Sequence, residues 1–144
     1  MLNKDQVISI IKDLHFPPDQ YLVIAGTVMA VHGIRKADDV DLVISSDLFE
    51  HLKEEGDWEH CTRHEDNSEF LARDKIDIAS KLDLYDYPTT LTEAKIRQDI
   101  IEGIPFMGLN DLIEFKQVYG RKKDLGDIKL IKDYLQANKL LNHD

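Results

Sequence analysis

Asp39 and Asp41 are the residues of this chain whose type and spacing are best suited to chemistry. They flank Val40 at the start of an apolar run, and the side chains of a strand alternate between its two faces. This alternation places both carboxylates on one face, about 6.5–7 Å apart. At an effective dielectric constant of about 20, their repulsion is on the order of 2–3 kcal/mol. A divalent cation removes that cost, because hard cations prefer oxygen ligands.

Asp77 is a third carboxylate in a similar setting. It lies in a second short strand candidate, Lys75–Ala79, where Ile76 and Ile78 share one face and Asp77 takes the other. The simpler interpretation of all three aspartates is that water solvates them on the open face of a small sheet.

The segment around the aspartate pair predicts the elements that position it. A continuous apolar run, Tyr21–Ala25, is typical of a strand buried on both faces. A helix follows to about Gly33, and a second strand is expected near Val40–Ile44. Gly26 at the strand–helix turn lets the backbone turn sharply and approach a ligand closely. Thr27 would place its hydroxyl and amide at a helix N-terminus, which suits a phosphate, or would be an ordinary N-cap.

Helical and strand-like periods alternate along the rest of the chain, which indicates an α/β fold: a small mixed β-sheet flanked by helices, with a helical C-terminal region. We expect one domain over residues 1–144, with a core at about 20–80 and a helical segment at about 108–138. The polar stretch 57–66 is ambiguous. The further predicted helices cover about 3–14, 46–55, 90–96, 109–119 and 124–138, the last burying Leu125, Ile128, Ile131 and Leu135, and the further strands are Phe70–Ala72, Asp99–Glu102 and Ile104–Met107.

Lys116 interrupts the apolar face of its helix, which Leu109, Leu112 and Ile113 define. A lysine at this position could reach towards a triphosphate. Alternatively its stem packs on the apolar face while its ammonium group stays in water.

Three further basic side chains could contact an anion. Arg121 and Lys123 precede the last helix, and they could contact phosphate or acceptor or form a solvated basic loop near a helix end. Arg35 could bind phosphate, pair with an active-site carboxylate, or form a surface ion pair with Asp38. Two acids that follow, Asp124 and Asp127, are expected to be an N-cap and a first-turn acid of the last helix.

The composition excludes several classes of function. The net charge is −10, from 28 acidic and 18 basic residues, which argues against broad affinity for nucleic acid. Cys61 is the one cysteine, so an internal disulfide is impossible and a cysteine-based zinc site is not expected. The apolar runs are far shorter than the roughly 20 residues of a membrane span, and the charged N-terminus lacks a signal-peptide core. We therefore predict a cytoplasmic protein.

The strand, turn, helix and aspartate pair together resemble the nucleotidyltransferase superfamily, in its small, single-domain bacterial form. That family has an apolar strand, Gly-Ser or Gly-Gly, a helix, and Asp-x-Asp or Asp-x-Glu on the next strand. Here the strand is Leu22–Ala25, the turn is Gly26-Thr27, and eleven residues separate Thr27 from the pair formed by Asp39 and Asp41. Thr27 departs from the pattern because it keeps the hydroxyl but adds a methyl group.

Other parts of the chain extend this resemblance, which covers about residues 20–80 and 108–131. Asp77 matches the family's third carboxylate, which sits on a later strand. Arg35 is similar to the arginine of the family pattern Arg-x-Thr-x-Asp-x-Asp, with Ala37 in place of the threonine. The C-terminal run Lys116…Gly120-Arg121-Lys122-Lys123-Asp124…Asp127 resembles the Lys…Gly-Arg-x-Lys-Asp…Asp segment of uncharacterised members.

The resemblance implies a nucleotidyltransferase that moves a nucleoside monophosphate from an NTP to a hydroxyl or phosphate and releases pyrophosphate. It implies Mg²⁺ or Mn²⁺, as two ions, with Asp39 and Asp41 as ligands. Asp77 would be a third ligand or the general base. The residues that would bind nucleotide or phosphate are Gly26, Thr27, Lys116, Arg35, Arg121 and Lys123.

The acceptor and the partners stay open. Similar small proteins include antibiotic-modifying enzymes and toxins of toxin–antitoxin pairs, so the acceptor could be a small molecule, a tRNA or a protein. A homodimer or a toxin–antitoxin partner could complete the site. Trp58 and the run Tyr85-Asp86-Tyr87 could line an acceptor pocket. The alternatives are a non-catalytic nucleotide-binding or toxin–antitoxin partner module, and a metal-dependent phosphohydrolase.

Overall fold

One mixed sheet organises the computed structural model, which describes residues 1–64, 66–82 and 89–141. The strand order is β3-β4-β5-β2-β1-β7-β6. β2 pairs in parallel with β5, and β1 pairs in parallel with β7, while the other neighbours are antiparallel. The strands are β1 (Tyr21–Ile24), β2 (Val40–Ile44), β3 (Glu59–Thr62), β4 (Glu69–Arg73), β5 (Ile76–Ala79), β6 (Asp99–Ile101) and β7 (Ile104–Phe106).

The helices begin and end where the sequence provides caps. Asn3 and Gln6 form a capping box at the start of α1, and the Thr90 hydroxyl accepts from the amide of Glu93 at the start of α4. Gly56 and Gly120 end α3 and α5 in the left-handed conformation, at φ 76° and 60°. The helices are α1 (Lys4–Leu14), α2 (Gly26–Val31), α3 (Ser46–Glu55), α4 (Leu91–Ile96), α5 (Leu109–Tyr119) and α6 (Lys122–Leu141).

The predicted fold class is confirmed, since helices flank a mixed sheet and the C-terminal region is helical. The predicted bounds of β2 and α5 coincide with the observed ones. All four residues of β1 are buried at the centre of the sheet, where α2 packs against β1 and β2. The ambiguous stretch 57–66 contains the edge strand β3, whose side chains are largely exposed and therefore lack an alternating pattern. Residues 85–87, suggested for an acceptor pocket, lie outside the described part of the chain.

The predicted details of α6 were partly wrong. The helix starts at Lys122, so Asp124 is its third residue rather than its N-cap, and Leu125 is 60% exposed rather than buried. The buried face repeats at helical spacing through Asp124, Asp127, Ile128 and Ile131. Two acids therefore occupy positions where apolar periodicity alone predicts leucine or isoleucine.

Candidate active site

The pairing of β2 with β5 brings Asp41 and Asp77 side by side. They are register partners in this parallel pair, so both side chains leave the same face of the sheet, on strands about 4.8 Å apart. Asp39 lies one residue before β2, and alternation puts it on the same face. All three carboxylates line one cavity of about 290 Å³. The structure thus brings together the three acids that the sequence singled out.

The carboxylates perturb one another. Burial, followed by the charges of Asp77 and Asp39, raises the pKa of Asp41 to about 7. Burial and Asp39 also raise the pKa of Asp77, while the charge of Arg63 opposes both shifts. Proton uptake is favoured mainly because burial disfavours a charged carboxylate, and further because the neighbouring carboxylates are negative. A bound cation would relieve the same repulsion.

Thr27 holds the aspartate pair in place. Its side chain is fully buried, and its hydroxyl donates to the carbonyl oxygen of Asp39 and accepts from the amide of Asp41, both at 2.9 Å. The N-cap of α2 is Ala25, so Thr27 is the second helical residue and the N-cap interpretation was wrong. The hydroxyl that was expected to meet a phosphate instead fastens α2 to the start of β2.

Ala25 and Gly26 form the tight turn from β1 into α2. Ala25 has φ 60° and ψ −147°, a region that residues other than glycine rarely adopt, and it lines the cavity. A Cβ on Gly26 would lie 3.0 Å from the Nη2 atom of Arg35. A larger residue at this position would therefore crowd the guanidinium group of Arg35.

Arg35 and Lys116 meet at Asp127. Arg35 donates from Nε and Nη2 to the two carboxylate oxygens of Asp127, each at 2.8 Å. The Nζ atom of Lys116 donates to Oδ2 of the same residue at 2.9 Å. Burial acts to raise the pKa of Asp127, but these hydrogen bonds outweigh it and lower the pKa to about 2. Neither sequence interpretation of Lys116 anticipated this, because its ammonium group is neither in water nor free.

Asp124 is a second acid that pairs with cations, namely Arg121 and again Lys116. Its carboxylate accepts from Nε of Arg121 at 2.7 Å, and Nζ of Lys116 lies 3.6 Å away. The guanidinium of Arg121 lies over the ring of Tyr119, 5.0 Å from its centroid. Burial acts to raise the pKa of Asp124, but the hydrogen bond from Arg121 and the nearby positive charges outweigh burial and lower the pKa. Asp124 and Asp127 are therefore partners of cations rather than simple helix-terminal acids.

Three cations, Lys116, Arg121 and Lys123, form what we call the cationic wall of the cavity. Lys116, Arg121 and Lys123 line the 290 Å³ cavity and also an adjoining one of about 110 Å³, and Lys123 is exposed. Gly26, Arg35 and Asp38 line only the adjoining cavity. The predicted phosphate-binding residues other than Thr27 thus border at least one of these two adjoining cavities.

Arg63 and Ala25 are among the cavity-lining residues that the sequence analysis did not single out. Arg63 follows β3 and borders the cavity beside Asp41 and Asp77. It belongs to the polar stretch without periodicity, so no pattern indicated it. Ala25 could have been found, since it directly precedes the turn glycine. Trp58 is not among the described residues lining the cavity; it is buried, with the guanidinium of Arg73 4.1 Å from its ring centroid.

The acids of the cavity suit a cation that also binds phosphate. Within residues 1–64, 66–82 and 89–141, no group of three His, Cys, Asp or Glu side chains is arranged to hold a metal ion by itself. Mg²⁺ is usually bound by one or two carboxylates together with water and substrate phosphates, not by a complete protein cage. The hard oxygen donors of Asp39 and Asp41, with their excess of negative charge, fit that mode.

The fold is similar to that of a solved protein. A crystal structure of an antigenic nucleotidyltransferase-like protein from Paracoccidioides brasiliensis matches with a TM-score of 0.60. The match covers 94% of this chain and 78% of that chain at 16% sequence identity. The chain has a nucleotidyltransferase-like fold. At this identity the similarity concerns the fold alone.

No protein-family model and no curated protein sequence matches the chain. In the described residues, no helix is both long and apolar enough to cross a membrane.

Proposed function

We propose that this protein is a metal-dependent nucleotidyltransferase, which moves a nucleoside monophosphate from an NTP to an acceptor hydroxyl and releases pyrophosphate. One observation carries the proposal. Asp39, Asp41 and Asp77 border a single cavity whose other walls bear Arg63, Lys116 and further cations, within a nucleotidyltransferase-like fold. A complex of a metal ion with a polyphosphate requires carboxylates that bind the ion and cationic side chains that bind the phosphates.

The cationic wall of Lys116, Arg121 and Lys123 suits the triphosphate. Arg121 and Lys123 border both adjoining cavities, so a chain of phosphates could contact both side chains along its length. Asp124 and Asp127 hold Lys116 by its ammonium group, which fixes the position of a charge that would otherwise be flexible. Fixed charges cost little reorganisation when negative charge grows on the phosphates.

The transfer is an in-line displacement at the α-phosphorus. The acceptor oxygen forms a bond to this phosphorus, and the bond from the phosphorus to the oxygen bridging to the β-phosphate breaks. The electron pair leaves with pyrophosphate. Asp77 accepts the proton of the acceptor hydroxyl, a role that suits a carboxylate whose pKa is raised by burial and by Asp39.

Asp39 and Asp41 would hold Mg²⁺ or Mn²⁺. Asp77 would be a ligand of a second ion in the alternative in which it is not the general base. When bound, such ions neutralise the phosphate oxygens and stabilise the attacking and leaving groups. Thr27 contributes indirectly, since its hydroxyl fixes the backbone on both sides of Val40.

The test uses each of the four NTPs labelled at the α-phosphate, with Mg²⁺ or Mn²⁺ and fractionated cell extract as the source of acceptor. We expect label to move to an acceptor with the wild type and to fall at least about a hundredfold with Asp39→Asn or Asp77→Asn, the scale on which a key electrostatic group acts. Asp57→Asn is the matched control, since Asp57 is an exposed aspartate outside the residues lining the cavity.

The outcomes separate the alternatives. Transfer that survives in both variants contradicts the site. Release of monophosphate without a labelled acceptor identifies a phosphohydrolase. Metal-dependent NTP binding without turnover in any fraction favours a binding or toxin–antitoxin partner module.

A further inference from the structure

Arg63 is held firmly at the edge of the cavity. Its amide donates to the carbonyl of Ser68 at 2.9 Å, and its carbonyl accepts from the amide of Asn67 at 3.0 Å, which closes the connection between β3 and β4. Its guanidinium lies over the ring of Phe70, 5.2 Å from the centroid. Phe70 is the register partner of Ala79, which is on the same face of the sheet as Asp77.

The guanidinium of Arg63 has donor capacity that the described protein atoms do not use. Its Nε atom is buried and has no hydrogen-bond partner among the described residues. By contrast, Arg35 and Lys116 are both bound to Asp127. A buried donor without a partner lowers stability, and an anion at this point would supply the missing acceptor.

Arg63 reaches the carboxylates from a different part of the fold than Lys116 does. The sheet order places β3 and β4 beyond β5, whereas Lys116 belongs to the wall formed by α5 and α6. The electrostatic effects agree with this arrangement. The charges of Arg63 and Lys116 both act to lower the pKa of Asp41, whereas the positive charge that acts to lower the pKa of Asp77 is that of Arg63. A single triphosphate on the wall of Lys116 and Lys123 leaves Arg63 for another anion.

We propose that the acceptor carries a phosphate group beside its reacting hydroxyl, as a nucleotide or an oligonucleotide end does, and that Arg63 binds this phosphate. The inference rests on the proposed function, because it assigns the triphosphate to Lys116 and Lys123 and the acceptor hydroxyl to Asp77. The planar fork of an arginine suits phosphate, and its contact with the Phe70 ring restricts the movement of the guanidinium. The net charge of −10 favours a short acceptor over an extended nucleic acid surface.

The test compares binding of adenosine 5′-monophosphate with binding of adenosine, which differ by one phosphate. The triphosphate site is first filled with α,β-methylene-ATP and Mg²⁺, and titration calorimetry gives both dissociation constants. The nucleosides of the other three nucleobases are compared with their 5′-monophosphates in the same way, each in the presence of the corresponding α,β-methylene triphosphate. We expect at least one monophosphate to bind about ten- to a hundredfold more tightly than its nucleoside. A pentaribonucleotide in place of the monophosphate distinguishes an oligonucleotide end from a free nucleotide.

Arg63→Gln should bring the ratio of the two dissociation constants close to one, and Arg63→Lys should restore part of it. The ratio does not depend on the folded fraction, because both ligands are measured on the same sample. Arg73→Gln is the matched control, since Arg73 also lies over an aromatic ring, that of Trp58, but does not line the cavity. This control should leave the ratio unchanged.

Three results would overturn the inference. The first is a wild type that binds the methylene triphosphate but shows no preference for any monophosphate. The second is an Arg63→Gln variant that keeps the preference. Alternatively, Arg63→Gln weakens the triphosphate as much as the monophosphate, which puts Arg63 in the triphosphate site. The proposed function fails separately if no methylene triphosphate binds the wild type with Mg²⁺.

Discussion

The ammonium group of Lys116 lies 2.9 Å from a carboxylate oxygen of Asp127, and the two side chains are only 5% and 8% exposed. The same carboxylate receives two hydrogen bonds from Arg35. Asp127 therefore joins three parts of the chain, namely the connection from α2 to β2, helix α5 and helix α6. This junction fixes one wall of the candidate active site.

Asp127→Asn should strongly destabilise the protein. The substitution removes one partner of a buried ion pair and leaves the charges of Lys116 and Arg35 without compensation. We expect the free energy of unfolding, measured by urea denaturation, to fall by about 3–5 kcal/mol. Asp133→Asn is the control on the same helix, because its pair with Lys129 is exposed and is worth about 1 kcal/mol or less. Equal effects of the two substitutions would contradict the importance of the buried junction.

Acid should weaken the same junction. The pKa of Asp127 is lowered to about 2 in the folded protein, below its ordinary value. A group whose folded pKa is depressed stabilises the fold above its unfolded pKa and loses that contribution as the pH falls through its folded pKa. The wild type should therefore lose on the order of 2 kcal/mol through this residue between about pH 4 and pH 2.

Acid unfolding of Asp127→Asn provides the comparison for that loss. Its stability should fall less steeply than that of the wild type over this interval, because the titrating group is gone. Asp124, whose pKa is also lowered, adds to the acid dependence of both proteins. Parallel curves for the two proteins would show that Asp127 does not titrate as described.

Asp41→Asn should stabilise the protein in metal-free buffer. Asp41 lies beside Asp77 and Asp39, and their charges oppose its ionisation, so a neutral amide relieves repulsion. At about pH 8 we expect the melting temperature to rise by roughly 2–5 °C. Millimolar Mg²⁺ should raise the melting temperature of the wild type and have little effect on the variant. A variant that melts lower without metal, or responds equally to Mg²⁺, contradicts the assignment.

Ala25→Gly should raise stability. Ala25 holds φ 60° and ψ −147°, where strain of about 1–3 kcal/mol is typical for a residue with a Cβ. Glycine removes that strain but loses about 0.5–1 kcal/mol through the added freedom of the unfolded chain. We expect a net gain of about 1 kcal/mol in urea denaturation. A loss of stability would mean that the alanine is not strained.

Gly26→Ala, one residue later, should have the opposite effect. Its new methyl group would lie 3.0 Å from Nη2 of Arg35 and would push the guanidinium away from Asp127. We expect a loss of about 1–3 kcal/mol, the usual range for overpacking. In the double variant that combines Gly26→Ala and Asp127→Asn, the loss of stability should be smaller than the sum of the two single losses, since both substitutions act on the same contact. Full additivity would separate Gly26 from the junction.

The carboxylates and their strands were accessible to sequence reasoning because the signals are local. Alternation around Val40 and between Ile76 and Ile78 puts Asp39, Asp41 and Asp77 on open faces, and the bounds of β2 followed from the same pattern. Local patterns failed where exposure removed the alternation, as in β3 and hence at Arg63. They also failed in α6, where the buried face contains Asp124 and Asp127 and the predicted core residue Leu125 is exposed.

The sequence alone determined which acids and bases are present, which short strands carry them and which way each side chain alternates. Only the tertiary structure decided their partners. Lys116 and Asp127 are 11 residues apart, and Arg35 and Asp127 are 92 residues apart, so no period within one element relates them. The order of the strands likewise sets Arg63, which follows β3, beyond β5 from Asp41 in β2. Chain folding brings these charges together because buried charges must find partners, and that requirement is met in space and not along the sequence.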